Sequence, residues 1–138
     1  HRDLKILECD DLTDFVEVLR DGFGLDSEFS KSFKSRMNSI RDRLECRFFI
    51  LMKGSIPVSV ASIFRKSKDS DYCLMNCATA DSSKRNGYQT ILLRRVIGLS
   101  NANIYTRTNN HHMKNLFLNL GFVSVGKFKI VSVESLIG

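Results

Sequence analysis

"SSKRNGYQTILLRRVI", residues Ser82 to Ile97, decides how this chain is read. It opens with two hydroxyls, two cations, an Asn and Gly87, and it closes as an apolar-rich run with Arg94 and Arg95. The run reads as a helix. The first turn of a helix leaves backbone N–H groups unpaired, and the helix dipole adds partial positive charge there. With a Gly that lets the backbone approach closely, "SSKRNG" has the chemistry of a phosphate cradle. It is not a Walker loop, because no Gly-Lys-Ser/Thr follows, and it lacks two of the three glycines of the dinucleotide fingerprint.

Before the loop lies "YCLMNCATA", an uncharged strand-like run. It ends a meander of three antiparallel strands. "RFFILMK" and "IPVSVASIFRK" turn at Gly54-Ser55, and "KSKDSD" makes the second turn. The only proline, Pro57, stands at the start of the middle strand, where a missing N–H is tolerated. Upstream, "LKILEC" reads as a strand and Asp10 and Asp11 as a helix cap. Leu12, Phe15, Val16, Leu19 and Phe23 then recur at helical spacing, and Gly22 and Gly24 stop the run. A second helix from Ser27 carries the stripe Phe29, Phe33, Met37, Ile40 and Leu44.

Downstream come helix "TILLRRVIGLS", strand "NIYTRT", helix "HHMKNLFLNLG" and strands "FVSVGKFKIVSV". Met113, Leu116, Phe117 and Leu120 share one helix face, and Gly121 stops that helix. The order β-α-α-β-β-β-α-β-α-β-β predicts an α/β (α+β) fold. No repeat or linker interrupts it, so residues 1–138 read as a single domain.

The formal charge is +6 with a pI near 9.3, which favours anionic partners. The cations are spread along the chain without a dense block, so most read as solvated surface and nucleic acid is disfavoured as a partner. No apolar run approaches the roughly 18 residues of a membrane span. The first residue is His1 rather than Met, which fits a piece of a longer chain, and no signal peptide is visible.

Cys9, Cys46, Cys73 and Cys77 lack a disulfide-framework spacing, which points to a reducing compartment and a cytoplasmic location. On one regular strand Cys73 and Cys77 would share a face roughly 13 Å apart, too far to bond. Zinc held by these thiols with His111 and His112 is disfavoured by the spacing, so no metal is expected.

The element order and two motifs resemble the GNAT family of acyl-CoA-dependent N-acetyltransferases along almost the whole chain. That family carries a Q/R-x-x-G-x-G/A loop after its fourth strand; the matching residues here are Lys84-Arg85-Asn86-Gly87-Tyr88-Gln89. It also tends to end with an Asn, a short helix, an aromatic and Leu-Gly-Phe, matched by Asn110, Phe117 and Leu120-Gly121-Phe122. The resemblance implies a mixed, mostly antiparallel sheet flanked by helices. It further implies direct acyl transfer from acetyl-CoA or another acyl-CoA to a primary amine, small molecule or protein, in a ternary complex.

Residue by residue, the resemblance implies coenzyme binding at Lys84, Arg85, Asn86, Gly87, Tyr88, Gln89 and Thr90, and along the strand edge at Cys77, Ala78 and Thr79. Asn110 and Phe117 belong to the same site, and the acceptor pocket falls near Phe23, Gly24 and Leu25. Three departures stand out. Lys84 stands where the family has Arg or Gln; it keeps the charge of an Arg without its planar fork. Gln89 replaces a small residue and must point away from the phosphates. Phe117 replaces a Tyr that protonates the leaving thiolate. No general base is evident; Asn76, Tyr105 and His111 are the candidates. A non-catalytic acyl-CoA-binding pseudoenzyme and a basic interaction module stay open as alternatives, as does a homodimer.

Overall fold

The computed structural model describes residues 3–99, 103–108, 110–124 and 129–131, the last three by backbone only. The elements are β1 (Leu4–Glu8), α1 (Thr13–Phe23), α2 (Ser27–Ile40), β2 (Glu45–Lys53), β3 (Ile56–Arg65) and β4 (Tyr72–Thr79). A short 3-10 turn at Asp81–Ser83 leads to α3 (Tyr88–Leu99), β5 (Ile104–Arg107), α4 (His111–Asn119), β6 (Val123–Ser124) and β7 (Lys129–Val131). This is the predicted order. Residues 125–128, 132 and 133 of the expected terminal strands, and Ser100 of the expected third helix, lie outside the described residues.

Seven strands form one sheet in the order β1-β2-β3-β4-β5-β7-β6. The described neighbours are antiparallel except β4 and β5, which are parallel. Both faces of the sheet are covered, which explains the unbroken apolar run "FFIL" in β2. Phe48 and Ile50 pack under α1 and α2 with Phe15, Leu19, Phe33 and Met37. Phe49 and Leu51 face the other way, onto Leu92, Leu93 and Val96 of α3 and Phe117 of α4.

The caps differ in detail from the sequence reading. Asp11 accepts hydrogen bonds from the Thr13 backbone N–H and hydroxyl, which holds its carboxyl below the usual range, while Leu12 occupies the cap position itself. Asp26 caps α2 through the Phe29 N–H. Gly24 ends α1 in the left-handed region at φ 66°, as expected, but Gly22 does not stop the helix: it lies inside α1. Its place is explained by contact, since a Cβ there would stand 2.6 Å from the carbonyl oxygen of Thr79 in β4. Pro57 sits beside a register shift between β2 and β3, which relieves its missing N–H within the sheet.

Candidate functional site

The site begins with a defect in β4. Val60 of β3 pairs with Ala78 and Ser62 with Met75, so Asn76 and Cys77 together oppose Ala61. This is a β-bulge, and Asn76 holds its first position at φ 56°. Asn tolerates that left-handed backbone better than most residues. The Asn76 amide donates to Ser62 Oγ at 3.1 Å, and Ser62 Oγ donates to the Met75 carbonyl at 2.9 Å. A buried serine thus supports the kink from the neighbouring strand.

The extra residue reverses the alternation of side chains. Cys77 packs with Tyr72 and Leu74 on the α3 side, whereas Ala78 packs against α1 and α2. Cys73 and Cys77 therefore do not share the face that a regular strand would give them. Burial pushes the Cys77 thiol up to about 12, so it stays protonated at neutral pH. Cys9 is pushed up to about 11, also mainly by burial.

Beyond the bulge the sheet opens. Among the described residues β4 pairs with β5 only at Tyr72–Ile104 and Cys73–Tyr105. Thr106 Oγ1 still reaches the Leu74 carbonyl at 3.0 Å, and past that point the two parallel strands diverge. A cleft of about 780 Å³ fills the wedge. Its walls are the β4 edge from Leu74 to Thr79, the end of β5, and one face of α4; its rim is the loop that leads into α3.

That loop is pinned to the end of α1. Asp21 Oδ2 accepts from the Asp81 N–H at 2.8 Å, and Lys84 Nζ donates to the Gly22 carbonyl at 2.9 Å. Lys84 thus directs its ammonium to the negative end of a helix, leaving Arg85 as the other cation of the loop. Arg85 and Gly87 have φ of 69° and 74°, and Asn86 between them does not have positive φ. Alternating hands of this kind turn successive N–H groups toward one point, a nest suited to an anion. Nothing lies within 4 Å of where a Gly87 Cβ would be. The N–H groups of Tyr88, Gln89 and Thr90 open α3, and the first backbone bond across this end runs from Ile91 N–H to the Gly87 carbonyl.

Gln89 points away from this surface. Its Oε1 accepts from Ser59 Oγ at 3.1 Å and from Thr79 Oγ1 at 3.2 Å, and its Nε2 lies 3.4 Å from the Val60 carbonyl. The amide clamps the start of α3 to β3 and β4. Gln89→Leu keeps the bulk but removes the amide's bonds to both hydroxyls, which keep each other and the Ala78 carbonyl as partners, so it should lower stability by about 0.5–1.5 kcal/mol. Urea denaturation measures this, and an unchanged midpoint would show that the clamp holds nothing.

Of the residues singled out in the sequence, Cys77, Ala78, Thr79, Lys84, Arg85, Gly87, Tyr88, Gln89, Thr90, Asn110 and Phe117 all line the cleft. Asn86 does not: its amide turns back onto the Ser83 and Lys84 carbonyls. Phe23 lines the cleft, but Gly24 and Leu25 lie outside it. Of the catalytic candidates, Asn76 lines the cleft, while Tyr105 and His111 do not. Tyr105 is raised by burial first and by Cys73 next, and His111 is an exposed residue at the start of α4. The sequence reading missed Thr106, Arg107 and Thr108 of β5 and its exit, and His112 rather than His111. The only available signal was that β5 lies next to β4.

Asn110 caps α4, its Oδ1 accepting from the Met113 N–H at 3.1 Å. Phe117 is 2% exposed and packs on Phe122 with ring centroids 5.4 Å apart. Among the described residues no carboxylate lines the cleft.

No family model matches the chain, and no curated protein matches it by sequence. Solved structures do match. A Desulfovibrio desulfuricans chain, provisionally named an acetyltransferase of the GNAT family, is 14% identical with a TM-score of 0.70, covering 93% of this chain and 96% of that one. A PaiA N-acetyltransferase from Thermoplasma acidophilum, solved with coenzyme A, is 13% identical with a TM-score of 0.63, over 94% and 98% of the two chains. A longer Pyrococcus horikoshii chain, also provisionally an acetyltransferase, is 17% identical with a TM-score of 0.69; it aligns over 89% of this chain, which spans only 44% of that one. A bulged strand, a parallel neighbour that splays from it and an anion-shaped loop before the next helix therefore occur here in a chain that has a GNAT-like fold.

Proposed function

We propose that this chain is an acyl-CoA-dependent N-acyltransferase, acting as a single domain in the cytoplasm. It moves an acetyl or other short acyl group to a primary amine by direct transfer. The observation that carries this reading is the β4 edge, bulged at Asn76 and opened toward β5, with the Arg85–Gly87 nest at its far end. A long ligand with an anionic head and an amide-bearing arm fits that layout. Its pyrophosphate would sit on the N–H groups that open α3, and its arm would run along the β4 edge at Cys77, Ala78 and Thr79. Asn110 would offer the arm its amide nitrogen while its oxygen caps α4.

In the reaction the amine nitrogen attacks the thioester carbonyl, and a β4 backbone N–H stabilises the oxyanion. The tetrahedral centre collapses to an amide and expels the thiolate. Phe117 has no proton to give, so the thiolate leaves unprotonated or takes a proton from water. Water also takes the ammonium proton, since no carboxylate is among the described residues of the cleft lining. Those same two features favour a second reading, a protein that binds acyl-CoA without turnover.

The test combines a thermal-shift titration with acetyl-CoA and a free-thiol assay over a broad amine panel. A saturable shift with thiol release supports the transferase, and Phe117→Tyr should then accelerate turnover if thiolate protonation limits it. Positioned general acids are worth about 100- to 10,000-fold. A shift without turnover in either protein leaves the binding reading. No shift at all would leave only a module that works through its basic surface.

A further inference from the structure

From the charge at the closed end of the wedge we infer that the cleft recognises a carboxylate next to the reacting centre, carried by the acceptor amine or by the acyl group. The inference rests on the transferase reading and specifies its substrate. The hydrogen bond from Thr106 to the Leu74 carbonyl sets Thr106 beside Leu74. Arg107 is therefore level with Met75, just where the two strands begin to part. Thr79 lies four residues further along β4, but the bulge matches these to the three steps from Ser62 to Ser59 on β3, about 10 Å at the rise of an extended strand, and the loop around Gly87 lies beyond it. A cation at Arg107 is thus at the opposite end of the wedge from the anion nest. It cannot serve the same phosphates as the Arg85–Gly87 loop.

Arg107 lines the cleft and is exposed. Its guanidinium stacks toward the Tyr105 ring, 6.0 Å from the centroid, and no described carboxylate forms an ion pair with it. The sheet register sets Lys129 of β7 directly opposite Arg107. Thr108 and His112 add polar groups to the lining, and no described acid does. Such a site repels a polycationic acceptor. It suits a planar, bidentate anion, which an arginine fork recognises best.

The experiment separates the two sources of the carboxylate. Protein saturated with coenzyme A is titrated with matched pairs: glycine and glycinamide, leucine and leucinamide, phenylalanine and phenylalaninamide. In parallel, the free protein is titrated with acetyl-CoA and succinyl-CoA. If the acceptor carries the carboxylate, at least one amino acid should bind tenfold or more tighter than its amide. If the acyl group carries it, succinyl-CoA should outbind acetyl-CoA by a similar factor. In either case Arg107→Gln should erase the preference and Arg107→Lys should restore part of it. Normal acetyl-CoA binding with no preference in any pair, or a preference that survives Arg107→Gln, overturns the inference and leaves the transferase reading intact. Failure of any acyl-CoA to bind overturns both.

Discussion

Gly87→Glu should weaken coenzyme A binding by well over tenfold, about 1.4 kcal/mol or more. Two effects combine at this residue, and they can be measured apart. The backbone has φ 74°, which any side chain resists at a cost of about 1–2 kcal/mol. The carboxylate then adds like charge in the space where nothing lies within 4 Å of the Cβ position. Gly87→Ala carries the first effect without the second. Both variants should melt lower by similar amounts, while only the Glu variant loses affinity beyond that of Ala in a titration. Equal affinities in the Glu and wild-type proteins would reduce the loop to a turn.

Gly22→Ala should destabilise the protein by about 1–3 kcal/mol, the range for forcing atoms into a packed interior. The sign matters here. In an open helix interior, Gly→Ala stabilises by about 0.5–1 kcal/mol. Gly98 inside α3 is such a site, with nothing within 4 Å of its Cβ position. At Gly22 the new methyl would meet the Thr79 carbonyl at 2.6 Å and the Ala78 methyl at 3.1 Å, and neither belongs to a flexible side chain. Gly98→Ala should therefore raise the denaturation midpoint and Gly22→Ala lower it. A stabilising Gly22→Ala would mean that α1 does not press on β4.

The contrast between these two glycines shows what was legible in the sequence. Gly87 could be read because local chemistry announces it: polar residues, cations and then an apolar helix. The Leu120-Gly121-Phe122 ending was legible for the same reason, and Gly121 indeed turns at φ 95°. Gly22 was misread as a stop, because its cause is a carbonyl in a strand almost sixty residues away. The bulge at Asn76 was hidden too. "YCLMNCATA" alternates well enough as a regular strand, and only the register against β3 exposes the extra residue. Gln89 looked like an intrusion on a phosphate site until Ser59 and Thr79 gave its amide a home. Arg107 carried no signal, since its meaning depends on lying beside the place where β4 and β5 part.

That parting also bears on how the molecule avoids its own kind. A strand edge with unsatisfied amides invites neighbouring chains to add to it, and proteins commonly blunt such edges at the rim of a sheet. Here the edge of β4 from Met75 to Thr79 is held in the middle of a seven-stranded sheet. It is closed at one end by the Tyr72 and Cys73 pairings and bounded by α4 on one face. A strand from another molecule would have to thread in end-on between two parallel neighbours. The fold keeps a stretch of hydrogen-bonding backbone open to a slender guest while sheltering it from fibril-like growth.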